Sequence, residues 1–312
     1  MTSRPAAASP DLGVSLGPLR LKNPVMAASG TFGYGLELAG LCPPGALGAV
    51  ITKGLSLEPW KGNPAPRIAE AAGGLLNAIG LENVGLAAFL EKSLGPLKAT
   101  GATVGVNVLG RTPDDYAILS RTLSDTAADF IELNVSCPNL RHPGGLSLGS
   151  DPDALSRITA QSVKAAAGKP VVVKLPPLVT DVADLARRAE EAGATAISLI
   201  NSLPGLSLDL ETRRPSLGNG PGGLSGPPVK PLALRQVMLC SRAVSIPVIG
   251  LGGIMGHLDA LEFIVAGATA VQVGTGILVD PTLPLSMIRD MSDWLSRRGL
   301  QDLGQLRGSL RL

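Results

Sequence analysis

Cysteine, histidine and aromatic residues are scarce in this sequence. Its 312 residues include three cysteines, two histidines and only 3% aromatic side chains. Cys42, Cys137 and Cys240 are too few and too scattered for a disulfide framework, a zinc site or an iron–sulfur cluster. We therefore expect that the chain binds no metal.

Strong net charge and long apolar runs are also missing. The formal net charge is +2 and the basic residues form only short clusters, so the sequence does not indicate a nucleic-acid-binding surface. No apolar stretch is long enough to span a membrane, and residues 1–11 lack the apolar segment of a signal peptide. No G-x-G-x-x-G motif follows a predicted strand, which argues against a Rossmann site for NAD or FAD. We expect a cytoplasmic protein without nucleic-acid or membrane partners.

The chain does contain eight short apolar runs, which are rich in valine and isoleucine and continuous rather than alternating. Such runs predict strands buried on both faces, and helical patterns between most of them indicate that the strands are parallel. Eight parallel strands with helical crossovers form a closed (β/α)₈ TIM barrel, whose active site lies at the C-terminal ends of the strands. The runs are residues 25–29, 49–54, 104–107, 130–134, 171–174, 196–201, 247–253 and 270–275.

The remaining segments fit a single domain around this barrel. A chain of 312 residues with 45% hydrophobic residues is ample for one large core. Residues 1–13 are predicted to be a disordered tail, and residues 14–312 are predicted to be one domain with a short strand pair over residues 14–21. Helices are predicted after the N-cap Thr112 and over residues 84–97, 152–166, 181–193, 230–241, 258–266 and 283–297.

Three connections are too long for plain barrel turns, namely residues 55–81, 136–150 and 202–228. All three follow the C-terminal ends of predicted strands. Long loops on that face of a barrel usually carry function, so these loops are expected to surround the active site.

Glycines mark the ends of the last two predicted strands. Gly252-Gly253 closes the seventh run and Gly274-Thr275 closes the eighth. In TIM barrels the loops after strands seven and eight commonly bind a phosphate through backbone N–H groups, and glycine permits the close approach. Either site alone would suit a tight turn, whereas the two together favour a phosphate site.

Two lysines also stand at strand ends. Lys53 and Lys174 close the second and fifth runs. A lysine at such a position is either solvated on the rim or directed at an anion. Two at the same mouth suggest an anionic ligand or a cofactor that becomes anionic, such as a reduced flavin with a cation near its pyrimidine edge.

Asparagines accumulate at the same mouth. Asn107, Asn134 and Asn201 end the third, fourth and sixth runs, and Asn77 lies in the glycine-rich loop 73–81. Asparagine is depleted in strands, and a buried carboxamide requires hydrogen-bond partners. Although asparagine is common in turns, four such positions favour a planar ligand with both N–H and C=O groups, such as a pyrimidine or a flavin ring.

Cys137 differs from the other two cysteines because it opens a long loop just past the fourth run. A thiolate there could be a nucleophile or a general base, and either role would require a pKa tuned toward the working pH. Cys42 and Cys240 are interpreted as small buried apolar side chains. His142 and His257 are interpreted as surface residues.

Taken together, these residues resemble class 1 dihydroorotate dehydrogenases, the flavin enzymes of pyrimidine biosynthesis. The likeness extends from about Val14 to Pro281, and its most specific parts are Ser-Cys-Pro-Asn, starting at Ser136, and Gly-Gly-Leu-Ser-Gly, starting at Gly222. The matching segments are residues 23–33, 52–54, 77–81, 134–139, 222–227 and 250–254.

The resemblance implies a role for each matched residue. Cys137 would be the base that removes a proton from C5 of dihydroorotate while a hydride leaves C6 for the flavin. The implied FMN contacts, of which the last four would lie on the phosphate, are Ser29, Lys53, Gly54, Asn107, Asn134, Lys174, Ile200, Gly226, Gly252, Gly253, Gly274 and Thr275. The implied orotate contacts are Lys53, Asn77, Ala78, Ile79, Gly80, Leu81, Asn134, Asn139, Asn201 and Ser202.

Within class 1, the chain is most similar to class 1B catalytic subunits. Residues 140–146 contain a basic pair and glycines, and residues 209–215 also have a 1B-like pattern. Ser150 and Ser202 stand where many 1B chains have threonine, and both keep a hydroxyl. The resemblance implies a homodimer that binds a second subunit with FAD and a [2Fe–2S] cluster, which passes electrons to NAD⁺, in a heterotetramer.

Three alternatives stay open from the sequence. The first is a class 1A-like enzyme that uses fumarate directly. The second is the flavin module of a dihydropyrimidine dehydrogenase, which shares the Ser-Cys-Pro segment but prefers a ligand without a carboxylate. The third is a barrel that binds FMN without turnover, against which the thiol and the two lysines argue.

Overall fold

A computed structural model describes residues 9–136 and 148–312, and its centre is a closed barrel of eight parallel strands. Each strand pairs with the strands before and after it in the chain, and the eighth pairs with the first. The predicted (β/α)₈ barrel is thereby confirmed. The strands are β1 Val25–Ala27, β2 Ala49–Ile51, β3 Val104–Val108, β4 Phe130–Asn134, β5 Val171–Lys174, β6 Ala196–Leu199, β7 Val248–Leu251 and β8 Ala270–Val273.

Residues in the strands alternate between the barrel interior and the surrounding helices. In β4, Phe130 belongs to the apolar cluster inside the barrel, whereas Ile131 and Leu133 belong to the larger cluster that includes the helices. Because side chains alternate with a period of two, Glu132 and Asn134 point inward like Phe130. The interior is therefore apolar near the N-terminal ends of the strands and polar nearer the C-terminal ends.

An antiparallel hairpin, Val14–Leu16 and Leu19–Leu21, confirms the predicted strand pair ahead of the barrel. Leu16 and Leu21 are buried in the interior cluster and close the N-terminal end of the barrel. The folded domain also begins before Val14. Leu12 is 8% exposed and packs in the main core, and the Asp11 backbone N–H donates to Gln301 at 2.9 Å, so these residues do not belong to the predicted tail.

The predicted helices are present, with small shifts at their ends. The predicted helix over residues 84–97 is two short α-helices joined by a π-helical turn, Leu90–Leu94. The helices are α1 Leu86–Phe89, α2 Gly95–Ala99, α3 Pro113–Ser124, α4 Pro152–Ala165, α5 Val182–Glu191, α6 Lys230–Ala243, α7 His257–Val265, α8 Thr275–Val279 and α9 Leu283–Arg297. Short 3₁₀ turns are Pro44–Ala46, Leu148–Ser150, Pro227–Val229 and Leu303–Gln305.

The sequence signals at the helix starts correspond to observed caps. The Thr112 side chain accepts from the Asp115 backbone N–H at 3.2 Å, while the Asp115 carboxylate accepts from the Thr112 N–H at 3.1 Å. This reciprocal pair is a capping box, which satisfies donors that α3 leaves open. Asp181 caps α5 in a similar way, accepting from the backbone N–H groups of Ala183 and Asp184.

Two of the three long loops combine into a small sheet, which the sequence interpretation missed. Loop 55–81 contributes Ile68–Ala71 and Gly74–Asn77, and loop 202–228 contributes Leu203–Gly205 and Gly222–Ser225. The four strands are antiparallel, and we call them the mouth sheet because they contribute residues to the cavities described below. A separate two-stranded pairing joins Leu208–Asp209 to Arg214–Pro215.

Candidate active site

Two adjoining cavities lie at the C-terminal ends of the barrel strands. The first cavity has a volume of about 240 Å³ and the second about 430 Å³, which together match the size of a small-molecule site. Six of the described residues line both cavities, so the two cavities are continuous with each other. The shared residues are Ser29, Gly30, Asn77, Ile79, Asn201 and Ser202.

The first cavity collects most of the residues predicted to contact a cofactor. It lies beside the ends of β7 and β8, under the mouth sheet. The predicted residues that line it are Ser29, Lys174, Ile200, Gly226, Gly252, Gly253, Gly274 and Thr275.

One end of the first cavity is lined by backbone amides. None of the backbone N–H groups of Gly252, Gly253, Gly274 and Thr275 donates to an acceptor in residues 9–136 or 148–312. Gly253 has a φ of +75°, and a Cβ there would lie 2.9 Å from the Gly226 carbonyl oxygen. Free, converging N–H groups around glycine are suited to a phosphate, so this end of the cavity fits the phosphate of a nucleotide-like cofactor.

Lys174 lies in the wall of the same cavity, at the end of β5. Its side chain is 4% exposed, and its ammonium has no hydrogen-bond or ion-pair partner in the described part of the chain. A buried cation without a partner is costly, and a ligand with negative charge would offset that cost. The lysine therefore fits a cofactor that gains negative charge on reduction, such as a flavin.

The second cavity contains the residues predicted to bind a substrate. It is lined by Lys53, Gly54, Asn77, Ala78, Ile79, Gly80, Leu81, Asn134, Asn201 and Ser202, among others. Its polar groups are mainly carboxamides. Asn77 donates to the Gly223 carbonyl oxygen at 3.2 Å, which links two strands of the mouth sheet. The backbone end of β4 is also fixed, because Tyr116 in α3 donates its hydroxyl to the Asn134 carbonyl oxygen at 2.8 Å.

Lys53 has an anionic neighbour in the second cavity. Its ammonium lies 3.6 Å from a carboxylate oxygen of Glu82, and the same oxygen accepts from Arg67 at 2.6 Å. The Lys53 and Glu82 side chains are 27% and 45% exposed, so this pair is screened by solvent. Lys53 can therefore bind an anionic ligand with only a small loss of ion-pair energy with Glu82.

Asn107 is the one described cofactor candidate that lines neither cavity. It is fully buried beneath Asn134, which donates to the Asn107 Oδ1 atom at 3.4 Å. Its own amide donates to Glu132 at 2.7 Å. Glu132 is a buried polar residue that the sequence interpretation overlooked, together with Ser198 and Gln272, which donate to its other oxygen. Each occupies an inward position of a strand, so a search for polar residues at every second strand position would have found them.

Cys137, Asn139 and His142 lie outside the described residues. The chain that leads to Cys137 is well anchored, since Ser136 is buried and its hydroxyl contacts Asn134 and Asn201.

The other two cysteines are buried in the core. Desolvation raises the pKa of the Cys42 thiol to about 11. Desolvation, with a smaller contribution from Asp181, raises the pKa of the Cys240 thiol to about 12. Both are therefore neutral at physiological pH, as the interpretation of them as small apolar side chains requires.

Residues 9–136 and 148–312 contain no cluster of three or more histidine, cysteine or acidic side chains that could hold a metal ion. No helix in the same residues has both the length and the apolar character needed to cross a membrane.

Comparison with known proteins agrees with the site. Residues 12–295 match the dihydroorotate dehydrogenase family. The chain belongs to this family. Its relatives include the catalytic subunit of dihydroorotate dehydrogenase B (NAD(+)) of Trichlorobacter lovleyi, 50% identical over 96% of this chain and 99% of the relative. The protein of the same name from Geobacter sulfurreducens is 50% identical over 96% of this chain and 98% of the relative. The one from Geotalea daltonii is 47% identical over 98% of this chain and 100% of the relative.

The family assignment confirms the resemblance found in the sequence. Dihydroorotate dehydrogenases are flavoproteins and oxidoreductases, which agrees with the chemistry of Lys174 and the phosphate-suited glycines. The relatives are named catalytic subunits, and such a name implies that each works with another subunit.

Proposed function

We propose that the chain catalyses the oxidation of dihydroorotate to orotate in pyrimidine biosynthesis, as the catalytic subunit of an NAD⁺-linked enzyme. The observation that carries the proposal is the first cavity, which is lined by the buried Lys174 and by the backbone N–H groups of Gly252, Gly253, Gly274 and Thr275. Neither the Lys174 ammonium nor these N–H groups have a partner within residues 9–136 and 148–312. The first cavity opens directly into the second cavity, which is lined by carboxamides and Lys53. The similarity to relatives of that name over nearly the whole chain supports the same activity.

FMN is the flavin that best fits the first cavity. The free N–H groups after β7 and β8 would hold its single phosphate, and Lys174 would lie near the pyrimidine edge of the ring. The backbone N–H groups after β7 and β8 are enough for one phosphate, and the sequence has no dinucleotide-binding motif. FAD, which has two phosphates, therefore fits less well than FMN. The remaining proposed contacts are Ser29, Lys53, Gly54, Asn134, Ile200 and Gly226, and Asn107 would support Asn134 from beneath rather than contact the flavin.

Dihydroorotate would occupy the second cavity. Lys53 is suited to the substrate carboxylate, and the carboxamides of Asn77, Asn134 and Asn201 can donate to and accept from the ring amides. Loop residues Ala78, Ile79, Gly80 and Leu81, with Ser202, complete the described wall, and Asn139 is proposed as a further contact.

The reaction removes two hydrogens from the C5–C6 bond. When bound, the flavin supplies the two-electron acceptor for the hydride that leaves C6. The Cys137 thiolate takes the proton from C5, and the C5–C6 double bond of orotate forms from that electron pair. Lys174 stabilises the negative charge that accumulates beside it, and the carboxamides keep the ring in the orientation that aligns C6 with the acceptor.

The electrons then require a route out of the chain. We propose a homodimer that binds a second subunit with FAD and a [2Fe–2S] cluster, which passes the electrons to NAD⁺ in a heterotetramer. The relatives' names, which contain both NAD(+) and "catalytic subunit", support such a partner. A cytoplasmic location stays a prediction.

Anaerobic mixing of the flavin-loaded protein with dihydroorotate tests this function. We expect dihydroorotate to bleach the visible flavin absorption with formation of one orotate per flavin, whereas dihydrouracil, which lacks the carboxylate, does not. Heat release followed by chromatography should yield FMN. Bleaching by dihydrouracil but not by dihydroorotate, or release of FAD, would contradict the proposal.

The electron acceptor is tested separately. The isolated chain should reduce dyes with dihydroorotate but not NAD⁺, and NAD⁺ reduction should appear when the second subunit is added. Rapid turnover of the isolated chain with fumarate would instead indicate a class 1A-like enzyme and leave the dihydroorotate chemistry intact.

A further inference from the structure

The carboxylate of Glu132 is enclosed within the barrel, directly below the second cavity. Its side chain is 0% exposed, and it occupies the inward position of β4 that precedes Asn134 by two residues. Three neutral donors reach it from three other strands. Asn107 donates to one oxygen at 2.7 Å, while Ser198 and Gln272 donate to the other at 3.0 and 2.7 Å. Glutamate is almost never fully buried unless it is paired, so this arrangement calls for a reason.

A one-way chain of hydrogen bonds ends on this carboxylate. The Ser202 backbone N–H donates to Asn201 Oδ1 at 2.8 Å, and Asn201 Nδ2 donates to the Ser136 hydroxyl at 2.9 Å. Ser136 donates to Asn134 Oδ1 at 3.1 Å. Asn134 Nδ2 donates to Asn107 Oδ1 at 3.4 Å, and Asn107 Nδ2 donates to Glu132.

Both ends of this chain are fixed in direction. A backbone N–H can only donate, and an ionised carboxylate can only accept. The carboxamides between them can rotate by 180°, which exchanges the donor and the acceptor, but each rotation would oppose two donors or two acceptors. Successive bonds that point the same way also polarise one another. The Ser202 N–H thereby fixes Asn201, whereas Glu132, acting through Asn107, determines which edge of Asn134 is presented to the second cavity.

We propose that Glu132 is a positioning residue, which acts through Asn107 to hold the Asn134 carboxamide in the orientation that recognises the pyrimidine ring. The proposal rests on the proposed function, since it assumes that orotate binds in the second cavity. Glu132 lines neither cavity. It acts by fixing which atoms of the Asn134 carboxamide, at the second cavity, donate and accept hydrogen bonds.

Glu132→Gln tests this role most directly. Glutamine has the same shape as glutamate, but its amide nitrogen is a donor, so the side chain no longer only accepts hydrogen bonds. The glutamine can still accept from Asn107, with its amide nitrogen then toward Ser198 and Gln272. The Gln272 Oε1 atom, which has no partner among the described residues, can accept that amide after rotation. The opposite orientation also becomes accessible, however, and it would reverse the bond to Asn107. The variant should therefore fold yet lose the fixed direction.

The measurement is orotate affinity, followed by the perturbation of the bound flavin's visible spectrum. We expect Glu132→Gln to retain FMN and to bind orotate roughly tenfold more weakly, the scale of one hydrogen bond to a charged group. Ser198→Ala is the matched control, because it removes a donor to the same carboxylate outside the chain. It should bind orotate within about twofold of the wild type.

A double-mutant cycle separates positioning from a general loss of stability. Asn107→Leu breaks the chain between Asn134 and Glu132, so adding Glu132→Gln to it should change orotate affinity by no more than about twofold. Additive losses in the double variant would overturn the proposal, because Glu132 would then act by another route. Wild-type affinity of Glu132→Gln would overturn it as well.

The outcomes for the inference and for the proposed function are distinct. If the wild-type protein binds FMN but not orotate, the proposed function fails. If the wild type binds orotate and the variants match it, only the role of Glu132 fails. Should Glu132→Gln not accumulate as folded protein, Asn107→Leu alone tests the same link, and unchanged orotate affinity in that variant would contradict the proposal.

Discussion

The two cavities at the barrel mouth are built by different means. The phosphate-suited end of the first cavity offers backbone N–H groups from the turns after β7 and β8. The second cavity offers side-chain amides, which depend on a chain of hydrogen bonds for their direction. Backbone donors are placed by the fold itself, whereas side-chain donors need a second layer of residues to hold them. Substitutions should therefore act by steric filling in the first cavity and by loss of chemistry or orientation in the second.

The largest expected effect separates the chemical step from cofactor binding. Cys137→Ala should retain FMN but slow reductive bleaching by dihydroorotate by roughly 10²–10⁴-fold, the usual size of a general-base contribution. Cys137→Ser should also be slow near neutral pH and recover partly at high pH, because an alcohol is a poorer base. The measurement is anaerobic stopped-flow absorbance.

The buried cysteines provide the controls for that experiment. Cys42→Ala and Cys240→Ala should leave the bleaching rate unchanged, since both thiols are buried and have pKa values raised to about 11 and 12. A wild-type rate in Cys137→Ala would place the base elsewhere.

A methyl group added at the phosphate end of the first cavity should weaken cofactor binding without unfolding the protein. A Cβ at Gly274 would meet only Ala28 and Thr31, at 3.8 and 3.9 Å, so the apoprotein has room for it. It would lie beside the free N–H groups, and we expect Gly274→Ala to weaken FMN binding at least about tenfold, equivalent to about 1.4 kcal/mol. The apoprotein melting temperature should stay near that of the wild type. Fluorescence titration with FMN and thermal denaturation measure the two effects.

Gly253→Ala is the contrasting variant. A Cβ there would lie 2.7 Å from the Lys230 Cβ and 2.9 Å from the Gly226 carbonyl oxygen, at a residue with a φ of +75°. We expect the unfolding free energy of the apoprotein to fall by about 1–3 kcal/mol. Equal melting temperatures for the two glycine variants would contradict this difference.

Lys174→Met should change stability and redox potential in opposite senses. Removing a buried cation that has no partner in the described part of the chain should raise the melting temperature of the apoprotein. The same change should lower the flavin midpoint potential by about 30–60 mV, which corresponds to about 1.5–3 kcal/mol for a two-electron couple. Spectroelectrochemical titration measures the potential. An unchanged or higher midpoint would mean that Lys174 does not face the reduced ring.

The smallest expected effect concerns Lys53 in the second cavity. Glu82→Gln removes the carboxylate 3.6 Å from Lys53, which would free the ammonium for the substrate carboxylate that we propose it binds. We expect the KM for dihydroorotate to fall by about 1.5–5-fold, because exposed ion pairs contribute about 0.2–1 kcal/mol. Glu70→Gln, on the mouth sheet but outside any ion pair of the described residues, should leave the KM unchanged. A higher KM in Glu82→Gln would show that Glu82 positions Lys53.

The barrel and the placement of the site were accessible from the sequence for physical reasons. Strands buried on both faces read as apolar runs, and their C-terminal ends meet at one mouth. Lys174, Gly252 and Asn134 could therefore be assigned to one region from the amino-acid sequence alone. Local signals such as the Thr112 cap also depend on only a few neighbouring residues.

The features that the sequence did not reveal depend on distant pairings. The mouth sheet joins residues nearly 150 positions apart, such as Asn77 and Gly223, and neither loop has a strong strand pattern alone. Glu132 was hidden because the runs were interpreted as uniformly apolar, although every second position of β4 faces the interior. Its partners come from β3, β6 and β8, and only the closed barrel brings them together.

A crystal structure of the FMN-loaded protein with orotate tests the division of labour between the cavities most directly. We expect electron density for the FMN phosphate at the backbone N–H groups of Gly252, Gly253, Gly274 and Thr275, with the flavin ring beside Lys174. Orotate should occupy the second cavity, with its carboxylate near Lys53 and its ring against Asn134 and Asn201. Flavin density in the second cavity, or orotate bound away from these carboxamides, would contradict this division of labour.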